Sequence, residues 1–435
     1  MNQLSTYTLG SVLRETGINA DTLRAWERRY KLPTPERSEG GHRLYSARDI
    51  EIIKWLLRQQ EMGIRIGQAV KHWQRQIEAG EDPLLAETRA QGAAPETTSD
   101  ISQIENFRQK WVAACLDFDE VLAEQTANDA FTHFSPEVAF IQIFLPAIRD
   151  IGQRWFEGEV SVQQEHFSSA LLMRRLDALI TTSPPPTRRE KIIVACPPKE
   201  EHTLSTLLLT LFLRRRGFQV VYLGTNVPLA EFKETVETIQ PSLIVLAAQQ
   251  LKTAATLEET IRTLSSCGIT IGYSGGIFKS LPDLHDYIGG SFLGETFDDL
   301  FINIEAFLKD MPAPRLDAPE NPHQALLETF EIAHVGIHAH LNDTLTRFNV
   351  PLKQLAESTV FLSEAILASL YLGDLDLLKH ELSWVQSLLE NRATQGVGLD
   401  MYLRTYANST RETLGEIAQP LVDWLETESA VYAKP

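Results

Sequence analysis

The segment WFEGEVSVQQEHF, residues 155–167, brings three chemically useful side chains together. Trp155 is followed, after nine intervening residues, by the pair Glu165–His166. An indole can stack on a flat ligand, a carboxylate can accept hydrogen bonds, and an imidazole can coordinate a metal ion. Taken alone, the segment is more typical of a core tryptophan, an early helical glutamate and a hydrogen-bonded histidine.

A second histidine with a nearby carboxylate stands in CPPKEEHTLST, residues 196–206. Glu200 could accept the second ring proton of His202, which would fix the tautomer and raise the basicity of the nitrogen that faces a metal. Farther along, Gly275 and Gly276 in GYSGGIF would allow a planar ligand or its tail to approach the backbone closely. A surface histidine on an ordinary loop is the alternative interpretation.

Basic side chains with aromatic neighbours mark the first 80 residues. The candidates for DNA contact are Arg24, Arg28 and Tyr30 in one predicted helix, and Arg37, His42 and Arg43 around a Gly-Gly turn. Cations at such spacings can meet phosphates and guanine edges. The whole chain has a net charge of −18, yet residues 1–80 hold 13 Lys+Arg against 9 Asp+Glu. A basic head on an acidic body favours a nucleic-acid-binding segment over a solvated basic helical domain.

The length and composition of the chain limit the classes of protein to which it could belong. A length of 435 residues predicts roughly three or four domains. The sequence shows neither an apolar run of about eighteen residues nor a secretory leader, so we expect a cytoplasmic, nucleoid-associated protein without membrane contact. Cys115, Cys196 and Cys267 fit neither a disulfide framework nor a CxxC metal site, and we expect buried, reduced thiols.

The predicted elements describe a multidomain α and α/β protein. The runs KIIVAC, FQVVYLG, LIVLAA and ITIGYSG alternate with helical stretches, which predicts a doubly wound parallel sheet of the Rossmann-like kind. The predicted domains are a winged helix-turn-helix (1–76), a linker (77–100), a four-helix-bundle cap (101–182), the sheet domain (189–311) and a C-terminal helical bundle (324–435).

Capping residues predict how the head is arranged. Gly17 separates two helices, and either Asn19 or Asp21 caps the second one. Ser46 with Asp49 predicts a capping box that opens the helix after the wing.

The same signals place the other candidate groups. Gly158 interrupts one helix of the cap, and Ser161 with Gln164 predicts a capping box for the next. The Trp–Glu–His group should therefore meet at one end of that bundle. His202 follows the first strand of the sheet, on the edge where ligands bind such sheets.

The head resembles the MerR family of transcription regulators. The matching segments are LRAWERRY, GGHRLYS and RDIEIIKWLLRQQEMGIRI, within about the first 75 residues. The resemblance implies a reader of a pseudo-palindromic operator that works as a dimer. It also implies which residues face DNA: Arg24 and Tyr30 on the helix, with Arg37, His42 and Arg43 on the wing.

The sheet domain resembles the cobalamin-binding domain. Glu200-x-His202, the AAQ at 247–249 and the pair Gly275–Gly276 carry the resemblance. It implies that the loop histidine replaces the cofactor's own base on cobalt and that the nucleotide tail threads into the sheet. Ser205 stands where the family has glycine and Ala247 where it has serine, and both departures bear on tail contacts and affinity.

The order of the parts resembles the CarH/LitR-type light-sensing regulators over about residues 1–310. The resemblance implies adenosylcobalamin as chromophore, with Trp155 against the adenosyl group and Glu165 on its sugar. It implies His202 as the lower cobalt ligand and His166 as the upper ligand after photolysis. It further implies a homodimer or homotetramer whose assembly and operator binding change with light, and no enzyme activity.

Two other functions are compatible with these parts. One is a cobalamin or redox sensor that does not use light. The other is a cobalamin carrier like those of methyltransferases, which would need an open upper face and no DNA-binding head.

The C-terminal block has no counterpart in that architecture. His334, His338 and His340 could suit a metal or haem, but a polar helix face is the more ordinary interpretation. We expect a dimerisation bundle. A second chromophore such as a linear tetrapyrrole is the alternative, and it would be noncovalent because the block holds no cysteine.

Overall fold

The computed structural model describes residues 7–37, 41, 43–61, 66–78, 98–310, 321–346, 352–390 and 397–433. The chain forms two compact units. The first comprises residues up to 189 together with 211–219, and the second comprises 190–210 and the residues from 220 onward.

The head is a winged helix-turn-helix, as predicted. Its described helices are Leu9–Thr16, Ala20–Tyr30 (the recognition helix), Ala47–Glu61 and Ile66–Glu78. Its strands β1 (Tyr7–Thr8), β2 (Glu36–Arg37) and β3 (Arg43–Tyr45) form an antiparallel sheet in the order β1-β3-β2. Gly17 ends the first helix with a φ of 70°, and Asn19 Oδ1 accepts a hydrogen bond from Asp21 N at 2.9 Å. Asn19, and not Asp21, is therefore the cap.

Aromatic side chains form much of the core of the head. Trp26, Trp55 and Trp73 are buried, and the rings of Trp55 and Trp73 meet edge to face with centroids 5.2 Å apart. The predicted capping box is confirmed, since Ser46 N donates to Asp49 Oδ2 at 2.8 Å and Asp49 N donates to Ser46 Oγ at 3.1 Å. This box fixes the point at which the wing passes into the next helix.

The cap block is helical throughout most of its described length. Its helices are Thr98–Leu116, Glu120–His133, Pro136–Val138 continuing through the π-helical Ala139–Phe144 into Leu145–Phe156, and Val162–Thr181. The π-helical turns end two residues before Pro146, whose backbone nitrogen has no hydrogen to donate. The helix Thr98–Leu116 begins within the predicted linker, of which 79–97 lie outside the described residues, and the domain boundaries stay a prediction.

The predicted helical hairpin of the cap block is confirmed. Gly158 has a φ of 80° in the turn between two helices. Ser161 N donates to Gln164 Oε1 at 2.9 Å, and Gln164 N donates back to Ser161 Oγ at 3.3 Å. Gln164 Nε2 also donates to the carbonyl of Leu116 at 2.7 Å, which ties the start of this helix to the end of the first one.

The sheet domain contains the four predicted strands. They are β4 (Lys191–Ala195), β5 (Gln219–Gly224), β6 (Leu243–Ala247) and β7 (Ile271–Ser274), and a fifth strand, β8 (Ser291–Phe292), adds to them. The order is β5-β4-β6-β7-β8, and the pairs β4–β6, β6–β7 and β7–β8 are parallel. The helices of this domain are Leu204–Arg215, Phe232–Ile239, Leu251–Leu264 (the linking helix), Gly276–Ser280 and Phe297–Lys309.

This strand order locates the ligand edge. The chain moves outward from β4 to β5 in one direction and from β4 to β6 in the other, so the order reverses between β4 and β6. In open parallel sheets the crevice at such a reversal, beyond the carboxyl ends of the strands, is the usual binding place.

The C-terminal block is a helical bundle, as predicted. Its helices are Gln324–Thr346, Leu352–Leu372 (the bundle helix), Lys379–Glu390, Leu399–Leu414 and Gln419–Tyr432. Ala368, Leu372 and Leu377 are buried in the same apolar core as the sheet domain. The bundle is therefore not an isolated module but packs on the sheet domain within one unit.

Two further expectations concern membranes and thiols. Among the described residues, no helix combines the length and apolar character needed to cross a membrane. The cysteines are free, and Cys115 and Cys196 are buried as expected, whereas the expectation is wrong for Cys267, which is only half-buried. Burial raises the pKa of Cys115 to about 12 and that of Cys196 to about 11, so these two thiols are protonated at neutral pH.

Candidate functional site

The loop after β4 carries His202, and a buried carboxylate holds its ring. Pro197 and Pro198 end the strand, and the next helix begins at Leu204. Glu200 is only 1% exposed, and its Oε1 accepts hydrogen bonds from His202 N at 2.9 Å and from His202 Nδ1 at 2.6 Å. The His202 side chain is 57% exposed, so Nε2 is the ring nitrogen left for a metal.

The second oxygen of Glu200 binds the start of the linking helix. Glu200 Oε2 accepts from Gln249 N and from Thr253 Oγ1, each at 2.6 Å. Sequence reasoning missed Thr253; the signal that could have found it is a hydroxyl at the third position of the helix that follows β6. The hydrogen bond to Glu200 raises the pKa of His202. Burial by itself would raise the pKa of Glu200, but the bonds from His202 and Thr253 hold it below its ordinary value.

Gln249 joins three segments of the chain at this edge. Its Nε2 donates to Ser205 Oγ at 3.0 Å, and its Oε1 accepts from Gly276 N at 2.8 Å. Ala247, at the end of β6, is nearly buried. Ser205, one of the two residues that depart from the cobalamin-binding pattern, therefore has a partner within the protein.

Gly275 is required by a close approach of the backbone. It has a φ of 144°, and a Cβ there would lie 1.7 Å from the carbonyl oxygen of Ala248. At Gly276 a Cβ would meet the Oε1 of Gln249 at 2.8 Å. The packing of two strand ends thus accounts for the first glycine, in addition to the ligand approach expected from the sequence.

The cap block presents a second paired imidazole. His166 Nδ1 lies 2.7 Å from Glu165 Oε2, and Ser169 Oγ donates to Glu165 Oε1 at 2.6 Å. Trp155 is half-buried in the last turn of the preceding helix, at the same end of the block. The side chain of His166 is 76% exposed and that of Glu165 25%, so Nε2 of His166 points away from its carboxylate towards solvent. The pairing of Glu165 with His166 was not predicted.

Some of the candidate DNA-contacting residues are exposed, and others already contact other residues of the head. Arg24, Arg28 and Arg37 are exposed, whereas Tyr30 is half-buried beside Gly67 of the last head helix. His42 lies outside the described residues. The structure brings the wing and the recognition helix together but does not test which side chains meet DNA.

Arg43 is already engaged by the recognition helix. Its Nε donates to Glu27 Oε2 at 2.7 Å, and Tyr45 Oη donates to Glu27 Oε1 at 2.5 Å. Burial and the bond to Glu27 raise the pKa of Tyr45 well above its ordinary value. Glu27, which sequence reasoning left aside, joins the wing to the recognition helix.

The three histidines of the C-terminal bundle have separate partners. His334 Nδ1 lies 2.8 Å from the carbonyl of Glu331, His338 Nε2 lies 2.5 Å from Ser363 Oγ, and His340 Nε2 lies 3.0 Å from Glu412 Oε2. In the described part of the chain, no three His, Cys, Asp or Glu side chains are grouped so as to hold a metal ion. These contacts favour the polar-face interpretation.

Family models match two parts of the chain. The family described as MerR HTH family regulatory protein matches residues 7–76, and the B12 binding domain matches residues 108–180. The transcriptional repressors CarH and CarA of Myxococcus xanthus are 29% and 28% identical over 278 residues. That alignment covers 63% of this chain and 90% of CarH, and 62% of this chain and 87% of CarA.

One further relative covers less of the chain, and one solved structure is only weakly similar. The transcriptional regulator MlrA of Escherichia coli is 43% identical over 63 residues, which is 14% of this chain and 26% of MlrA. The monomethylamine corrinoid protein of Methanosarcina barkeri has a solved structure with a TM-score of 0.41 and 15% identity, covering 46% of this chain and 99% of its own.

The matches to the head and to the cap block agree with the order of parts inferred from the sequence. The relatives CarH, CarA and MlrA are transcription regulators, in line with the expectation that the chain is not an enzyme. The chain thus combines a MerR-type head with a match to the B12 binding domain, in the order of the CarH and CarA repressors to which it is similar.

Proposed function

We propose that the chain is a light-responsive regulator that uses adenosylcobalamin as its chromophore. The observation that carries the proposal is the arrangement of His202, whose Nδ1 is held by the buried Glu200 while the ring remains exposed. A carboxylate on the far nitrogen is the usual support for a metal-bound imidazole.

The residues at the sheet edge fit a cobalamin. His202 would hold the cobalt, and Glu200, fixed by four hydrogen bonds, would keep the ring in one orientation. Ser205, Ala247, Gly275 and Gly276 would border the tail of the cofactor. Bound adenosylcobalamin would supply a cobalt–carbon bond that light can break.

In the cap block, the proposal assigns three roles. Trp155 would pack against the adenosyl group, and Glu165 would accept a hydrogen bond from its sugar. His166 would become available to the metal once that group has left. Glu165 Oε2 lies on His166 Nδ1 in this structure. The same oxygen could instead accept a hydrogen bond from a sugar hydroxyl.

The output would be a change in assembly and DNA binding. We assign operator contacts to Arg24, Arg28, Tyr30, Arg37, His42 and Arg43, in a homodimer or homotetramer on a pseudo-palindromic site. A protein with this role acts at the nucleoid, in the cytoplasm. A light-independent cobalamin or redox sensor would use the same contacts, so only an experiment with light separates the two functions.

The test is reconstitution of the full chain with adenosylcobalamin in darkness. Absorption, oligomeric mass and affinity for duplex DNA are measured before and after green light, with a hydroxocobalamin sample as the matched control that lacks the adenosyl group. We expect all three quantities to change for adenosylcobalamin alone. An unchanged absorption spectrum would falsify the photoreceptor function, and a changed spectrum with unchanged mass and DNA affinity would contradict the proposed output.

A second chromophore in the C-terminal bundle is a separate proposal. The polar chain from His338 through Ser363 to the buried Tyr406 supplies hydrogen-bonding groups there, with 2.6 Å between Ser363 Oγ and Tyr406 Oη. Adding biliverdin to the chain tests it, since a bound linear tetrapyrrole would shift its red absorption band and an unchanged band would contradict the proposal.

A further inference from the structure

The linking helix, Leu251–Leu264, is shared by the His202 network and the C-terminal bundle. At its start, Gln249 N and Thr253 Oγ1 both donate to Glu200 Oε2 at 2.6 Å. The other oxygen of the same carboxylate holds the ring of His202. Because one buried carboxylate binds both groups, a displacement of the His202 ring must be accommodated at the start of this helix.

The other side of the linking helix is covered by the bundle helix, Leu352–Leu372. Lys252, next to Thr253, pairs with Glu364 at 2.9 Å between Nζ and Oε2. At the far end, the guanidinium of Arg262 hydrogen-bonds to Tyr371 Oη and lies 5.1 Å from the centre of its ring. The bundle helix is therefore attached near both ends of the linking helix.

The burial pattern of the linking helix fits a position between two layers. Its buried side chains occupy more than one face, as expected for a helix covered on both sides. They are Leu251, Thr253, Ala254, Ala255, Leu257, Glu258, Thr260, Ile261 and Leu264.

Further contacts hold the bundle in place besides those between these two helices. Tyr287 Oη donates to Asp374 Oδ2 at 2.6 Å. Asn321 Nδ2 donates to the carbonyls of Leu370 and Tyr371 at 2.8 and 3.1 Å, which fixes the segment entering the bundle against the end of the bundle helix. Removing one or two contacts should therefore weaken the coupling without detaching the bundle.

We propose that the linking helix transmits the ligation state of His202 to the C-terminal bundle, which serves as a second output element of the cobalamin site. This inference rests on the proposed role of His202 as lower cobalt ligand. It gives the bundle a role that is separate from dimerisation and from a second chromophore, because it follows from contacts within one chain.

The test is hydrogen exchange of backbone amides in the full chain, in darkness, with and without adenosylcobalamin. We expect cobalamin to slow exchange in both 251–264 and 352–372. In the double variant Glu364→Gln/Tyr371→Phe, the slowing over 251–264 should remain while that over 352–372 falls by about half or more. The matched control is Glu412→Gln/Tyr432→Phe, which makes the same substitutions elsewhere in the bundle and should behave like the wild type.

The absorption spectrum of each sample distinguishes a failure of this inference from a failure of the proposed function. If cobalamin binds through His202, judged by the spectral difference from His202→Ala, and exchange over 352–372 does not change, the inference is wrong and the proposed function stands. Full slowing over 352–372 in the double variant also overturns the inference. If His202→Ala binds cobalamin with the wild-type spectrum, both the lower-ligand assignment and the inference are wrong.

Discussion

At the residue scale, His202 and His166 each contact a glutamate carboxylate, but the two carboxylates differ in burial and in the number of hydrogen bonds that they accept. In each, the carboxylate of a neighbouring glutamate lies on Nδ1, at 2.6 Å for His202 and 2.7 Å for His166. Glu200 is buried and accepts four hydrogen bonds, whereas Glu165 is partly exposed. The first arrangement suits a permanent ligand, and the second suits one that moves into place.

Replacing Glu200 tests the permanent ligand. Glu200→Gln keeps the shape of the side chain but removes the carboxylate charge beside His202 Nδ1, so cobalamin affinity should fall by about 10–100-fold, as is usual for lost support of a metal-bound histidine. Titration of the full chain followed by absorption measures this. The control is Glu201→Gln, an exposed carboxylate one residue away, and equal affinities for the two variants would refute the assignment.

Replacing His166 tests the conditional ligand. His166→Ala should bind adenosylcobalamin in darkness and lose the adenosyl group under green light, because the proposal gives His166 a role at the metal only after that group has left. Its spectrum after illumination should lack the signature of a second imidazole. His133→Ala, an exposed histidine of the same block, should match the wild type. A wild-type illuminated spectrum in His166→Ala would show that another group takes the position.

At the element scale, the wing and the recognition helix act as one piece because Glu27 binds both Arg43 and Tyr45. A charge-assisted hydrogen bond of this kind contributes about 1.5–3 kcal/mol. Arg43 therefore uses Nε to position the wing. Its remaining guanidinium nitrogens are available to a phosphate.

Glu27→Gln should reduce operator affinity although it makes the head more basic. We expect a loss of about tenfold, equivalent to ~1.4 kcal/mol, against an operator selected from random duplexes with the wild-type chain. Nonspecific affinity should stay equal or rise, since one negative charge is removed. Glu15→Gln, which removes a negative charge paired with Lys54 on another face, is the control and should keep operator affinity. An unchanged ratio of specific to nonspecific affinity in Glu27→Gln would exclude the positioning role.

The C-terminal bundle should lose stability in mild acid through His338. Burial lowers the pKa of His338, so the folded state takes up its proton less readily than the unfolded state. Stability is then complete above the unfolded pKa of about 6.5 and declines as the pH falls below it. Thermal unfolding between pH 7.5 and 5 should show a smaller decline for His338→Gln, which can still bond to Ser363. Equal pH dependence in the two chains would contradict this account.

At the scale of the whole molecule, local signals predicted the parts better than the connections between them. The apolar strand runs, the capping box at Ser161 and the turn at Gly17 depend on neighbours in sequence, and they were confirmed. The two-residue strand Ser291–Phe292 was missed because so short a run has no period.

Contacts distant in sequence had no local signal. The bond from Thr253 to Glu200 spans 53 residues, and the pair Lys252–Glu364 spans 112. The packing of the bundle on the sheet domain was likewise not expected, because an amphipathic pattern shows that a face is covered but not by what. The roles of Trp155 and His166 rest on the family resemblance and stay predictions.

The linking helix also bears on how such a protein could be taken apart and recombined. Its outer face is apolar and covered by the bundle helix, so a chain shortened to its CarH-like part would expose buried surface and invite self-association. Transferring the bundle alone would likewise expose Ala368, Leu372 and Leu377, which are buried against the sheet domain. Because the linking helix is covered on both sides, the smallest portable unit is the sheet domain together with the bundle.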